Sequence, residues 1–365
     1  MSLTVKELTH DDEAQVSDFY HKPATDSMIN FYLNREPGFF DALQVEGEDP
    51  AVFAVIDDKT GQIAGSCIRT LRECYINGKA EKVAYAGSMR IAPEYRGGWA
   101  FFKLMRNLKQ LCEEHPCLHY CSIMQSNILT NKIFLSGRPP LPTAKRAGVY
   151  LTRIFKPFKK CYRSSVLITT AREAGLETII TFLNKEGSKK QLFPVYRKAH
   201  FENSSREWTK GLKAENIFVA FRDGEPVGTL ALWDQSAFRR WMLYRSPKLR
   251  FIQPGINLYS WLRRLPAIPS NNKPVDCRYL SLICIKNDDP EIFQALFYHA
   301  MKQVIRDKSS PLLIMGHFDT DTMYHSVSFP QLELKSNIYC FTWQQDLAQF
   351  YSIDFSNTYI EIGAL

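Results

Sequence analysis

Hydrophobic and polar positions change period several times along this chain, and each change marks an element. Residues 3–8 alternate and read as a short strand; Thr9 or His10 then leads into a helix whose first turn is acidic, at Asp11, Asp12 and Glu13. A second helical stretch is predicted at roughly 25–34. Three strand-like segments follow at 51–56, 63–75 and 81–91, joined by DDKTG and INGK, which carry hairpin chemistry. PEYRGG breaks the pattern. Beyond it Phe101, Leu104, Met105, Leu108, Leu111 and Cys112 recur at the 3/4 spacing of a helix with one buried face, predicted from about 99 to 114. Residues 117–124 read as a strand, 127–136 as a short helix, and 149–155 as a strand after the loop GRPPLPTAKRAG.

The second half repeats this order more faintly. It offers a strand at 166–170, a helix at 173–183, paired strands at 217–222 and 226–233 across DGEP, and a strand at 278–285. A helix at 290–305 starts with Pro290 in its first turn, and strands are expected at 312–315 and 338–343. The halves share order of elements and no obvious identity. KPFKKCYRSS, at 156–165, is the expected boundary, giving domains of 1–158 and 159–365.

Composition narrows the function classes. At 365 residues the chain exceeds the usual size of one core, and 45% apolar with 23% charged residues is ordinary for a globular protein. No apolar run reaches the roughly 18 to 20 residues of a membrane span. The opening MSLTVKELTHDDE lacks the basic and apolar regions of a signal peptide, so it is read as folded structure. Nine scattered cysteines without a Cys-x-x-Cys pair suggest reduced thiols in a cytoplasmic compartment. The net charge of +8 does not demand nucleic acid, although an anionic ligand would be welcome.

Two clusters raise the question of metal. Cys112, Cys117 and Cys121 surround His115 and His119, but at no familiar zinc spacing, and a helix end running into a buried strand accounts for them. His317, Asp319, Asp321 and His325 read as a polar loop with a helix-capping aspartate. No metal site is expected. Phe238–Arg250 and Trp261–Arg264 interleave cations with aromatics, a pattern open to nucleic acid, an anionic membrane or an acidic protein. The expectation is that these aromatics pack inward while the arginines stay solvated.

The most informative segment is Ser88-Met-Arg-Ile-Ala-Pro-Glu-Tyr-Arg-Gly-Gly-Trp-Ala-Phe-Phe-Lys-Leu-Met105. A strand ends, Pro93 stops it, and Gly97 and Gly98 open a long helix. Glycines let a backbone approach an anion, and the first helical N–H groups point at it with the helix dipole behind them. Arg96 and these amides would hold a pyrophosphate, although an ordinary strand-to-helix turn has the same residues.

Ile91-x-Pro93-Glu94-Tyr95-Arg96-Gly97 closely resembles the V-x-P-E-Y-R-G of the GNAT acetyltransferases, and Lys103-Leu-Met105 continues the likeness. Asn127-Ile-Leu-Thr-Asn-Lys-Ile-Phe134, with Gly137 following, resembles a second family motif, N-x-x-A-x-x-x-Y. Together these cover roughly residues 1–155. Trp99 and Phe101 stand where the family has small residues; a one-residue shift aligns Gly98 and Ala100 instead. The resemblance implies a mixed α/β (α+β) fold of two tandem GNAT-like domains, each a mostly antiparallel twisted sheet flanked by helices. It implies acetyl-CoA as acyl donor, held by Met89, Ile91, Arg96, Gly97, Gly98, Trp99, Ala100 and Asn127, and an amine acceptor. In the second half Asp288 and Asp289 occupy the matching loop, which lacks Arg and Gly, so that half is expected to be degenerate.

The chemistry implied is acyl transfer to an amine, with backbone N–H groups near Met89 to Ile91 stabilising the oxyanion. Tyr85 stands where some family members keep a catalytic carboxylate, although it also reads as a core tyrosine, and Tyr120 is a candidate acid on the fifth strand. Glu73, Glu81 and Cys121 are weaker candidates. Phe134 replaces the tyrosine that often protonates the departing thiolate. The alternative is a non-catalytic acyl-CoA-binding or partner-binding protein derived from a transferase.

Overall fold

A computed structural model describes the chain apart from residues 1, 23–28, 161, 165, 203–206, 246, 270–272, 308–310 and 345–346, and apart from the side chains at 29, 245, 247 and 248. Its strands are β1 (Leu3–Leu8), β2 (Ile29–Arg35), β3 (Glu48–Asp57), β4 (Ile63–Ile76), β5 (Lys79–Ile91), β6 (Leu118–Met124), β7 (Thr143–Phe155), β8 (Leu167–Thr170), β9 (Ile217–Arg222), β10 (Glu225–Trp233), β11 (Arg239–Arg245), β12 (Cys277–Ile285), β13 (Leu312–Phe318) and β14 (Gln331–Thr342). The α-helices are α1 (Glu13–His21), α2 (Phe39–Leu43), α3 (Ala100–Glu114), α4 (Ile128–Phe134), α5 (Ala171–Ala174), α6 (Leu176–Gly187), α7 (Lys198–Glu202), α8 (Pro247–Leu262), α9 (Pro290–Arg306) and α10 (Ala348–Ser352).

Twelve strands form one sheet in the order β1-β3-β4-β5-β6-β14-β7-β13-β12-β10-β9-β8. Neighbours are antiparallel except β5–β6, which bracket α3, and β12–β13, which bracket α9. The repeated element order of the sequence is therefore a repeated strand–helix–strand unit in a mostly antiparallel sheet. The order breaks chain sequence at the centre. β14, from the end of the chain, lies between β6 and β7 and pairs with both. β7 in turn pairs with β13 of the second half.

Two apolar cores result. One gathers α1 to α4 around β3 to β5 and takes Tyr339 and Phe341 from β14. The other gathers α6 and α9 around β9 to β13 and takes Tyr85 and Tyr120 from the first half. The 3/4 pattern of α3 does what it predicts, burying Ala100, Leu104, Met105, Leu108 and Cys112. Thr9 starts the first helical turn as expected, its N–H donating to Asp12 Oδ2 at 3.0 Å.

Two expectations need correction. The helix predicted at 25–34 is not there: residues 23–28 lie outside the described residues, and Ile29–Arg35 is β2, paired antiparallel with β11 as a separate two-stranded sheet. Its alternation of Phe31 and Leu33 with polar neighbours acquires meaning only beside a partner some two hundred residues away. The aromatics after Phe238 do not all pack inward either. Phe251, Tyr259 and Trp261 of α8 are exposed, because that helix turns Gln253 and Asn257 to the protein.

Candidate functional site

β5 and β6 run parallel over Val83–Tyr85 against Leu118–Tyr120. Beyond that point they part. β6 continues to Met124 on the arm of β14, while β5 continues to Ile91 on the arm of β4. A bulge in β5 produces the divergence: Ser66 faces Arg90 while Ile68 faces Gly87, so β5 spends one extra residue, and Ser88 has φ +51°. The Tyr20 hydroxyl, 3.0 Å from Ser66 Oγ and 3.1 Å from the Ser88 carbonyl, fixes the bulge from α1. Arg90 donates to the Tyr20 and Lys22 carbonyls and lies over the Phe19 ring. The result is a wedge between two strands, bordered on one side by the backbone of Met89 and Ile91, whose side chains are half-buried.

The loop after Ile91 is anchored at Tyr95, whose hydroxyl donates to Asp57 Oδ2 at 2.8 Å. Arg96 is extended, Gly97 turns the chain with φ +77°, and α3 begins at Ala100. At Gly97 nothing lies within 4 Å of where a Cβ would stand, so the residue answers a backbone need and leaves open space above it. The N-cap Trp99 contributes no side-chain hydrogen bond to the helix. Trp99 is 72% exposed, and Arg96, Trp99 and Lys103 border a surface hollow of about 360 Å³. Two cations, an aromatic plate and a helix N-terminus without a side-chain cap thus share one place.

Asn127 caps α4, its Oδ1 accepting from the Thr130 N–H at 3.2 Å. Phe134 is buried against Tyr339 and Phe341 of β14. Tyr339 in turn donates to Asn131 Oδ1 at 2.8 Å, and Asn337 Nδ2 donates to the same oxygen at 2.9 Å. This Asn131–Asn337–Tyr339 network escaped the sequence reading. Asn131 carried a local signal as part of the motif around Asn127, but nothing in the sequence links it to residues 337 and 339.

Tyr85 and Tyr120 stand at the point where the strands part, ring centroids 5.0 Å apart. Both are buried, on the face that packs against the second half, and burial pushes both phenols well above their usual range. Gly87 makes room for the Tyr85 ring; a Cβ there would stand 2.5 Å from Tyr85 Cε1. Cys121, on the opposite face, is likewise kept protonated by desolvation. Glu73 pairs with Arg197 and Glu81 is half-buried near the hairpin turn.

On the Tyr85 face lies an interior charge cluster that sequence reasoning also missed. Glu46 is buried and accepts from Arg35 at 2.6 Å, with Arg239 3.9 Å away. Arg72 donates to the Glu46 carbonyl at 2.7 Å, and Arg239 donates to the Gly363 and Leu365 carbonyls. Desolvation raises the Glu46 carboxyl, but Arg35, Arg239 and Arg72 together outweigh it and hold it below the ordinary range.

The equivalent loop of the second half is built otherwise. Asp289 caps α9 with its own carboxylate, Oδ1 accepting from the Glu291 N–H at 2.9 Å while Oδ2 meets Arg222 at 3.3 Å. Asp288 pairs with Lys190 at 2.6 Å. Of the other clusters, His317 is buried and stacked on Tyr324 with ring centroids 4.2 Å apart, and His119 lies against Arg69 at the start of β6.

No protein-family model matches the sequence, and no curated protein sequence matches it. Solved structures do match. A probable N-acyltransferase of Enterococcus faecalis superposes with a TM-score of 0.51 at 11% identity, over 96% of this chain and 74% of that one. Saccharomyces cerevisiae N-myristoyltransferase with bound myristoyl-CoA gives 0.57 at 10% identity, over 98% and 85%. The glucosamine N-acetyltransferase region of a fungal multi-domain enzyme gives 0.61 at 11%, over 93% of this chain and 38% of that longer one. The chain has the GNAT fold. In its terms the β5–β6 wedge lies between the strands that precede and follow α3.

Proposed function

We propose that the chain is an N-acyltransferase that takes an acyl group, acetyl first among donors, from CoA and passes it to a primary amine. One observation carries this reading. The strands diverge beyond Tyr85 and Tyr120 just where a glycine-turned loop delivers a helix N-terminus without a side-chain cap, beside Arg96. The pyrophosphate would lie on Arg96, Gly97, Gly98, Trp99 and Ala100, with the pantetheine arm along the backbone of Met89 and Ile91 and beside Asn127. In the reaction the amine nitrogen attacks the thioester carbonyl. A C–N bond forms, the C–S bond breaks, one amine proton is lost, and the thiolate takes up a proton. Tyr85 and Tyr120, held neutral by burial, would serve as hydroxyl donors and not as bases, and water would take the amine proton. In the second half the Asp289 carboxylate already occupies the helix N-terminus, which supports a single CoA site in the first half.

Thermal shift with acetyl-CoA and longer acyl-CoAs tests the reading. A ligand at about 100 times its Kd should stabilise by roughly 2.7 kcal/mol, and no shift with any acyl-CoA overturns it. Arg96→Ala should weaken binding by about 10- to 100-fold, the loss of one charge-assisted contact. Phe134 and the buried phenols favour the alternative, a binding protein without turnover. Thiol release with a panel of amines separates the two.

A further inference from the structure

α8 is an amphipathic helix worn inside out. Its uncharged amide side chains face the protein: Gln253 Nε2 donates to the Pro269 carbonyl at 3.0 Å, and Asn257 exchanges hydrogen bonds with Ile268 at 2.8 and 3.2 Å. Leu249 and Ser260 are buried on this same side. On a wheel of about 3.6 residues per turn, Phe251, Pro254, Leu258, Trp261 and Leu262 fall together on the opposite arc, with Tyr259 and Ile252 at its edge; the positions of Gly255 and, in the first turn, Lys248 fall within the same arc. That arc is solvent-exposed: 84% for Phe251, 71% for Trp261, 65% for Leu262 and 59% for Leu258. Single exposed apolar residues need no explanation, but a contiguous arc on one helix does.

The surrounding charge says what covers it. From Gln235 to Val275 the sequence carries eight lysines and arginines and no acidic residue. Arg250 and Arg263, both exposed, fall on the wheel at the two borders of the apolar arc. Aromatic and aliphatic groups in the middle, with cations along both edges, suit a helix lying in the plane of a lipid surface, its arc among the upper acyl chains and its arginines on lipid phosphates. A nucleic acid would use the arginines and the rings but leave Leu258, Leu262 and Ile252 without partners. At 16 residues α8 is too short to cross a bilayer, and no helix among the described residues is long and apolar enough to do so.

We propose that α8 docks the protein onto anionic membrane surfaces. The inference is independent of the acyl-transfer reading.

Co-sedimentation of the full chain with vesicles tests it, comparing phosphatidylcholine alone with phosphatidylcholine mixed with phosphatidylserine. Binding to the mixed vesicles is expected, weaker at high salt and much weaker on the neutral vesicles. The triple variant Phe251→Ser, Leu258→Ser, Trp261→Ser should lose at least about tenfold in binding, since three exposed apolar groups no longer enter the lipid. Arg250→Glu with Arg263→Glu should abolish the preference for the anionic vesicles. These positions are exposed, so the thermal midpoint should not fall, and tryptophan quenching by brominated lipid should be reduced in Trp261→Phe. No binding to the mixed vesicles, equal binding to both kinds, or binding unchanged in the triple variant overturns the proposal. So does a dimer that the triple variant dissolves without any vesicle binding, or RNA retention that depends on the arginines alone.

Discussion

At the scale of single residues, the strongest constraints sit where charge is buried. Among the described residues Glu46 is the side-chain acid that pairs with Arg35 and Arg239, with Arg72 on its carbonyl, so Glu46→Gln would leave guanidinium groups in the interior without that counter-charge. A loss of about 3 to 5 kcal/mol is expected, read as a lower urea midpoint. Three buried histidines set a pH response. Desolvation lowers His119 to about 3 and His200 and His317 to about 4, from an ordinary 6.5, with Arg69 adding to the effect at His119. The folded state prefers them neutral, so stability is lost as pH falls below about 6.5, by up to about 1.4 kcal/mol per unit for each. Asp321 opposes them: burial raises it to about 6, so its penalty is relieved as pH falls through that value. The thermal midpoint should drop between pH 7 and 5. His119→Gln should flatten that slope and Asp321→Asn should steepen it. The sequence placed His119 at the start of a buried strand, but neither its Arg69 neighbour nor the arginines around Glu46 could be read from it.

At the scale of elements, α3 and α9 make a controlled comparison. Both follow a strand and both cross to a parallel partner; α3 was legible from its 3/4 spacing and α9 from Pro290 in its first turn. They differ at one end. α9 is satisfied by Asp289, whereas α3 presents Trp99, which supplies no side-chain cap. Trp99→Asp should therefore raise the melting point modestly, by the equivalent of about 0.3 to 1 kcal/mol. It should also weaken acyl-CoA binding at least tenfold, because the carboxylate would face the pyrophosphate. A change of the same sign in both measurements would place the ligand elsewhere. The strand-to-helix loop at Arg96–Gly98 was visible in sequence because its determinants are local: a proline, an arginine, two glycines. β2 was misread because a seven-residue strand is defined by β11 across from it, and a single-chain window cannot see the partner.

At the scale of the molecule, the position of β14 governs the fold. A fragment ending at 158 would lack the strand between β6 and β7, leaving both edges open and Phe134 without Tyr339 and Phe341. Such a fragment should aggregate or stay partly unfolded, while the whole chain melts in one transition by calorimetry. Two separate transitions would show that the shared strands do not couple the halves. The same exchange decides which side chains border the wedge, since Asn337 and Tyr339 reach Asn131 only through it.

By itself, then, the sequence determined the elements whose signals are near neighbours along the chain: the strand-to-helix loop at Arg96–Gly98, the buried face of α3, the hairpins of the first half, and the carboxylates that replace the loop in the second. Tertiary structure decided what depends on distant partners. It placed Tyr85 and Tyr120 in the interior, assembled Glu46 with three arginines, sent β14 to the centre of the sheet, and turned the apolar arc of α8 outward. The physical reason is the range of the forces. Backbone conformation and capping are settled within a few residues, while burial and charge pairing are settled by whichever segments of the chain come to share a face.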